Sequence, residues 1–304
     1  MTGVICGTGS SIPVHTMDNN DIAKLVETSD EWIRERTGVV RRHIIEEETT
    51  VSMAADAARK ALAASGTAPE DVDLILVSTI SSNVILPCAA CEVQRQIGAV
   101  NATCYDMSAA CTGFVFGYCA ALAYLSCGMY RTILVIGSES LSNLTNWKDR
   151  GTCILFGDGA GAAVVKAEEG TFYQPVTHSA GSLPEEELYM QMDGRGVFQF
   201  AVRRVPEVIG EVLEKNQVPI GDIDWFVLHQ ANRRIVEAVA KRLKAPLEKF
   251  PMNLQEYGNT SSASIPILLD EMRRDGRLKA GQKIVIAGFG AGLSWGAAIL
   301  DWTK

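Results

Sequence analysis

Short, unbroken apolar runs alternate along this chain with longer stretches whose apolar residues recur every three or four positions. Leu74 to Val77, Ile133 to Ile136, Trp225 to Leu228 and Ile284 to Ala287 are apolar throughout and bounded by polar residues or glycine. Runs of that length without a polar face read as strands covered on both sides. Thr50 to Ser65 is alanine-rich and stops at Gly66, a helix with a C-terminal cap. Cys111 to Cys127 stops at Gly128, and Val202 to Asn216, Ala231 to Leu243 and Ser262 to Arg274 carry amphipathic helical spacing. Strands alternating with helices predict an α/β protein with largely parallel, covered sheets. Ile284 to Leu300 is uncharged but glycine-rich, and it falls short of the roughly 18 apolar residues that suggest a membrane span. It reads as two buried strands joined by a turn.

One segment echoes another. Ile154 to Val165 and Ile286 to Leu300 each place a glycine-rich turn ahead of a closing apolar strand. The echo predicts two related halves, 1–168 and 169–304.

Composition narrows the picture. The chain has 304 residues, 47% of them hydrophobic, enough for a large core. The formal charge of −8 disfavours a nucleic-acid footprint, which needs a basic face. The N-terminus has no basic leader region and enters a strand at once, and the 8 cysteines fit a reducing compartment. A cytoplasmic protein is expected. Cys6, Cys104 and Cys127 lie in apolar runs and read as small core residues. Cys88 and Cys91 form a CxxC without the further paired ligands a zinc site needs, so a buried helix start is expected and no metal. Gly7 and Gly9 follow a strand, but the third glycine of a dinucleotide fingerprint is missing.

Three residues carry candidate chemistry. Cys111 lies where a strand gives way to a helix, among the small residues Ala109, Ala110 and Gly113. A helix N-terminus stabilises a thiolate, and a sharp turn aims the Cys111 backbone N–H at an acyl carbonyl. A lowered thiol pKa is expected. His229 closes an apolar strand, at the sheet edge where α/β proteins bind ligands. Asn259, in Tyr257 to Ser264, reads by itself as a turn residue or helix cap, the turn foremost. A thiolate that holds an acyl group, beside an imidazole and an amide that stabilise negative charge, points to carbon–carbon bond formation between thioesters.

The surroundings of these residues resemble β-ketoacyl-[acyl-carrier-protein] synthase III. The similarity lies in Cys111, His229 to Asn232, Gly258 to Ser261 and Gly288 to Gly296. It extends to Thr28 to Gly38, Asp149 to Thr152 and Phe156 to Ala163, so it covers the whole chain. It implies a thiolase-like fold, five layers αβαβα in two pseudo-repeated halves, acting as a homodimer without a cofactor. It implies a ping-pong reaction in which Cys111 takes an acyl group from acyl-CoA. Malonyl-acyl carrier protein then loses CO2, and the carbanion attacks the Cys111 thioester.

The resemblance assigns His229 and Asn259 to the enolate, and the backbone N–H groups of Cys111 and Ala291 to the acyl oxyanion. It assigns Thr28, Trp32, Arg36, Arg150, Gly194 and Asn232 to CoA, with Trp32 and Arg150 on opposite faces of the adenine. Arg234, Lys241 and Arg242 would dock an acidic carrier protein, although Gln199 stands where the family often has lysine. Leu86 would close the acyl pocket from across a dimer. A secondary-metabolite synthase would use the same residues. A cysteine peptidase also uses Cys, His and Asn, and a non-catalytic carrier-binding scaffold is a third reading. A degradative thiolase would need a later cysteine, and none follows Cys153.

Overall fold

The computed structural model describes residues 1–181 and 189–303. In chain order the strands are β1 (Thr2–Ser11), β2 (Thr16–Asp18), β3 (Arg41–His43), β4 (Leu74–Ser78), β5 (Thr103–Met107), β6 (Thr132–Glu139), β7 (Gly159–Glu168), β8 (Val176–Ser179), β9 (Trp225–Leu228), β10 (Lys283–Gly290) and β11 (Ser294–Asp301). The helices are α1 (Asn19–Ala23), α2 (Asp30–Thr37), α3 (Thr50–Ser65), α4 (Ala89–Ile97), α5 (Gly113–Ser126), α6 (Arg150–Cys153), α7 (Gly194–Lys215), α8 (Arg233–Leu243), α9 (Leu254–Tyr257) and α10 (Ser264–Arg274).

The strands form a five-stranded sheet in the order β1-β7-β6-β4-β5 and a four-stranded sheet in the order β8-β11-β10-β9. Alternate residues of each strand enter different layers. In β4, Ile75 and Val77 face outward onto α3 and α4, through Ala57, Ala61 and Val93. Leu74 and Leu76 face inward onto α5 and α10, through Phe114, Leu122 and Leu268. The same central helices receive Val227, Ile284 and Ile286 from the second sheet. Phe226, Val285 and Ala287 point the other way, onto α7 and α8. The result is helices, sheet, helices, sheet, helices: the αβαβα layering of the thiolase-like fold. It explains why these strands lack a polar face.

The sheets are mixed rather than largely parallel. β4 runs parallel to β5 and β6, and β9 to β10. β1, β7, β8 and β11 join antiparallel. The turn between β10 and β11 is too short for the crossover that parallel strands require. β7 and β11, which carry the echoed apolar text, hold equivalent places as antiparallel neighbours of β6 and β10.

Local signals set several boundaries. Thr49 caps α3 by accepting from Ser52 N, and Gly66 ends it at φ 63°. Gly7 and Gly9 have a packing role. A Cβ on Gly9 would lie 2.4 Å from the Ala57 carbonyl oxygen, so these glycines let α3 close against β1. Helix α7 starts at Gly194, two turns before the amphipathic stretch, where Asp193 caps a glycine-containing first turn. Cys127 departs from the expected core role. It sits at the C-cap of α5 and is exposed, whereas Cys6 is buried and Cys104 half-buried. Cys88 is the N-cap of α4, but it and Cys91 are half-buried, with sulfurs 3.4 Å apart. No helix among the described residues is long and apolar enough to cross a membrane.

Candidate active site

Between β5 and α5 the chain turns through Ala110, held at φ 43°, into a short 3-10 turn, Ala110–Thr112. A left-handed alanine is strained by roughly 1–2 kcal/mol, so the surrounding structure must hold it in place. Thr112 Oγ1 donates to the Ala109 carbonyl at 2.6 Å and lies 2.8 Å from Ser294 Oγ, which fastens the turn to β11. The end of β10 presses on the same turn. A Cβ added to Gly290 would lie 2.9 Å from Cys111 Cβ and 3.0 Å from its backbone nitrogen.

The Cys111 thiol does not behave as its helix-terminal position predicts. Burial pushes it up to about 12, and the Glu139 carboxyl adds to the shift, while the Ser261 hydroxyl and the Cys111 backbone oppose it. The dipole is outweighed because α5 proper begins only at Gly113 and the sulfur is desolvated. At neutral pH the sulfur is held as a thiol.

His229 follows the last residue of β9, its backbone N–H donating to the Ala287 carbonyl at 2.9 Å. Its ring packs edge-on against Phe289, with centroids 5.2 Å apart. The residue is 1% exposed, and burial drives its pKa down to about 3, so the imidazole is neutral. Nδ1 lies 2.7 Å from Ser264 Oγ. The Gln230 side chain bridges Leu228 O, Pro251 O and Asn253 N, securing the segment beyond β9.

Asn259 is buried on the turn before α10. Its backbone forms a parallel bridge with Phe156, donating to Leu155 O at 2.8 Å. Its Oδ1 accepts from Ser261 N at 2.9 Å, which directs the Nδ2 amino group away from the turn as a donor. Nδ2 has no partner among the described residues. The three residues are therefore held around one locus. Gly290 touches Cys111, the adjoining Phe289 touches His229, and Ser261, bonded to Asn259, stands beside the Cys111 thiol.

The other sequence-singled residues divide. Trp32 lies under two guanidinium groups, Arg150 at 5.1 Å and Arg36 at 5.7 Å from the ring centroid. Arg150 meets the indole directly, with nothing between them. Thr28 Oγ1 is buried without a hydrogen-bond partner among the described residues. Asn232 is committed to structure: Oδ1 caps α8 at Arg234 N, and Nδ2 donates to Arg36 O at 3.0 Å. Gly194 is the exposed first residue of α7. Arg234, Lys241 and Arg242 are exposed on α8 or its last turn, Arg234 lying over the Phe198 ring.

Ala291 sits exposed in the β10–β11 turn. With Ala109, Phe116 and Cys119 it lines a cavity of about 590 Å³. Leu86 is 83% exposed and is not among the residues lining that cavity.

Sequence reasoning passed over Ser261, Ser262, Ser264 and Glu139. The signal available was a hydroxyl run, Thr260 to Ser262 and Ser264, in a segment that otherwise reads as core. Nothing local marks Glu139, whose hydrogen-bond partners come from distant parts of the chain.

Comparison with known proteins follows the same lines. The family model described as 3-oxoacyl-[acyl-carrier-protein] synthase III matches residues 105–181, and its C-terminal counterpart matches 213–302. The chain is 45% identical to a β-ketoacyl-[acyl-carrier-protein] synthase III of Clostridium acetobutylicum, covering 99% of this chain and 98% of that one. The enzyme of the same name from Oceanobacillus iheyensis is also 45% identical, with 99% of each chain covered. Among solved structures, 3-oxoacyl-[acyl-carrier-protein] synthase III from Aquifex aeolicus superposes with a TM-score of 0.96 at 42% identity, covering 99% of this chain and 100% of that one. A priming β-ketosynthase from a polyketide biosynthetic pathway superposes at 0.95 with 33% identity, covering 100% and 97%.

Proposed function

The chain belongs to the 3-oxoacyl-[acyl-carrier-protein] synthase III family, and on that premise we propose that it joins an acyl group from acyl-CoA to malonyl-acyl carrier protein. The products are 3-oxoacyl-carrier protein, CoA and CO2. The observation that carries the reading is the β10 terminus wedged between Cys111 and the neutral, Ser264-bonded His229.

In the first half-reaction the Cys111 sulfur forms a bond to the acyl carbonyl carbon. The oxyanion sits on the backbone N–H groups of Cys111 and Ala291. The bond to the CoA sulfur then breaks, and the proton lost by the Cys111 thiol ends on CoA.

In the second half-reaction the malonyl carboxylate leaves as CO2. Its bonding pair becomes an enolate whose charge falls on the thioester oxygen. His229 Nε2–H and Asn259 Nδ2–H donate to that oxygen. Because neither donor is ionised, neither protonates the carbanion before it attacks the Cys111 thioester. Carbon–carbon bond formation expels the Cys111 thiolate, which takes a proton from solvent and restores the resting thiol.

Thr28, Trp32, Arg36 and Arg150 hold the nucleotide end of CoA, supported by the stacked cations and the orphaned Thr28 hydroxyl. Gly194 and Asn232 line the approach of the pantetheine arm. Arg234, Lys241 and Arg242 receive the acidic carrier protein. Residues 1–168 and 169–304 act as the two halves, the first supplying Cys111 and the second His229 and Asn259. A homodimer completes the acyl pocket with Leu86. Val84, Ile85 and Leu86 are 45%, 88% and 83% exposed in one apolar loop, as a segment covered by a second copy would be.

Radiolabelled CO2 released from malonyl-carrier protein, measured with and without acyl-CoA and coupled to detection of 3-oxoacyl-carrier protein, tests this reading. Decarboxylation without condensation would remove it. The priming ketosynthase likeness keeps a secondary-metabolite role as a second reading. Strong preference for a primer or carrier foreign to fatty acid synthesis would favour that role.

A further inference from the structure

Glu139 closes β6 with a carboxyl group 0% exposed, and among the described residues it makes no ion pair. Its Oε2 accepts from Ser81 Oγ at 2.7 Å, Ile80 N at 3.1 Å and Thr79 Oγ1 at 3.3 Å. Its Oε1 lies 2.9 Å from Ser262 Oγ, and Ser262 Oγ lies 3.0 Å from the Ser78 carbonyl oxygen. Counting protons resolves this arrangement. A serine hydroxyl has one hydrogen, and here it faces two oxygens. If Glu139 were ionised, one of these two short contacts would bring two oxygens together with no hydrogen between them. If Oε1 carries a proton, it donates to Ser262 Oγ and Ser262 donates to Ser78 O. The other side is already consistent: Ser81 Oγ accepts from Ser140 N at 2.8 Å and Thr79 Oγ1 from Ser81 N at 3.1 Å, leaving both hydroxyl hydrogens for Oε2.

We propose that Glu139 is a positioning residue of the condensing site: as a neutral carboxylic acid it donates to Ser262 and locks the Asn259–Ser262 turn to the strand ends beneath Cys111. The inference rests on the condensation reading for its catalytic consequence, though not for the state of the carboxyl. Glu139, Ser81 and Thr79 belong to the first half of the chain and Ser262 to the second. The bond thus ties the nucleophile's half to the turn whose Ser261 N–H orients the Asn259 amide. Burial pushes the Glu139 carboxyl upward against the pull of its hydroxyl and amide donors, in agreement with the proton count. The titratable group beside it is Cys111, and a carboxylate there would oppose the thiolate. A neutral acid removes that opposition.

Infrared difference spectra between the native protein and Glu139→Gln test the protonation state directly. The expected difference at neutral pH is loss of a protonated-carboxyl C=O stretch. Loss of carboxylate bands instead overturns the proposal, whatever reaction the protein catalyses. Activity tests the positioning role. The amide of Glu139→Gln donates and accepts as the neutral acid does, so condensation should stay within about threefold of native. Glu139→Leu and Ser262→Ala should lower malonyl decarboxylation at least about tenfold, with the carrier-protein KM unchanged and Cys111 acylation reduced less. Equal losses in Glu139→Gln and Glu139→Leu, or full decarboxylation in Ser262→Ala, contradict the role. Should Glu139→Leu fail to fold, the Gln variant, Ser262→Ala and the spectra still decide. If native protein does not condense at all, the function reading fails while the spectrum still reports the carboxyl.

Discussion

The hydroxyl of Ser264 stands 2.7 Å from Nδ1 of His229 and accepts, at 3.4 Å, the backbone N–H of Gln230. The serine oxygen keeps a second lone pair, so the contact fits either ring tautomer; the proposed condensation uses the one in which the serine hydrogen points at Nδ1. In that tautomer the imidazole proton is on Nε2, where the proposed enolate would take it.

Ser264→Ala should release the tautomer. Decarboxylation of malonyl-carrier protein should fall at least about tenfold, while Cys111 acylation changes little. Stopped-flow measurement of the two half-reactions separates them. Equal decline in both would show that Ser264 supports the fold and not the tautomer.

Cys111→Ala should abolish acyl transfer yet retain part of the decarboxylation, because His229 and Asn259 remain. Complete loss of both activities in a folded variant would contradict the division of labour proposed for the three residues.

His229 also makes a prediction about stability. Its folded pKa is lowered to about 3 from 6.5, so the unfolded chain takes up a proton that the folded protein refuses. Stability contributed by the neutral ring is present above pH 6.5 and is lost as the pH falls from 6.5 towards 3. Between pH 7 and pH 5 the native protein should lose about 2 kcal/mol more than His229→Asn, from urea midpoints at both pH values. Parallel losses would mean that the ring is not buried neutral.

Trp32→Ala should raise the acyl-CoA KM several-fold while leaving kcat near native, since the indole contributes binding far from the reacting carbon. An unchanged KM would remove Trp32 from the CoA site.

What the sequence revealed followed from how local the cause was. Helix α3 was legible because Gly66, which ends it, acts within a turn of it. The apolar runs of β4, β6, β9 and β10 announced strands covered on both faces, but mixed pairing depended on which strands lie side by side. The strand–turn–helix setting of Cys111 was legible. The high pKa of its thiol was not, because desolvation comes from Gly290 and other residues far along the chain. Cys127 was misjudged because α5 is apolar on every side, so its periodicity did not reveal which residues point outward at its end. Ser262 and Glu139 are 123 positions apart, and Ser264 and His229 are 35 apart. Such bonds leave no local pattern. Trp32 and Arg150 were brought together only through the family resemblance.

Acyl capture by a single sulfur is the step from which every later one follows. Intact-protein mass spectrometry after incubation with a panel of acyl-CoAs, followed by peptide mapping, reads that step directly. One acyl group on Cys111, removed on addition of malonyl-carrier protein with appearance of the 3-oxoacyl product, is the expected result. An unmodified Cys111, or an adduct confined to exposed Cys127, would contradict it.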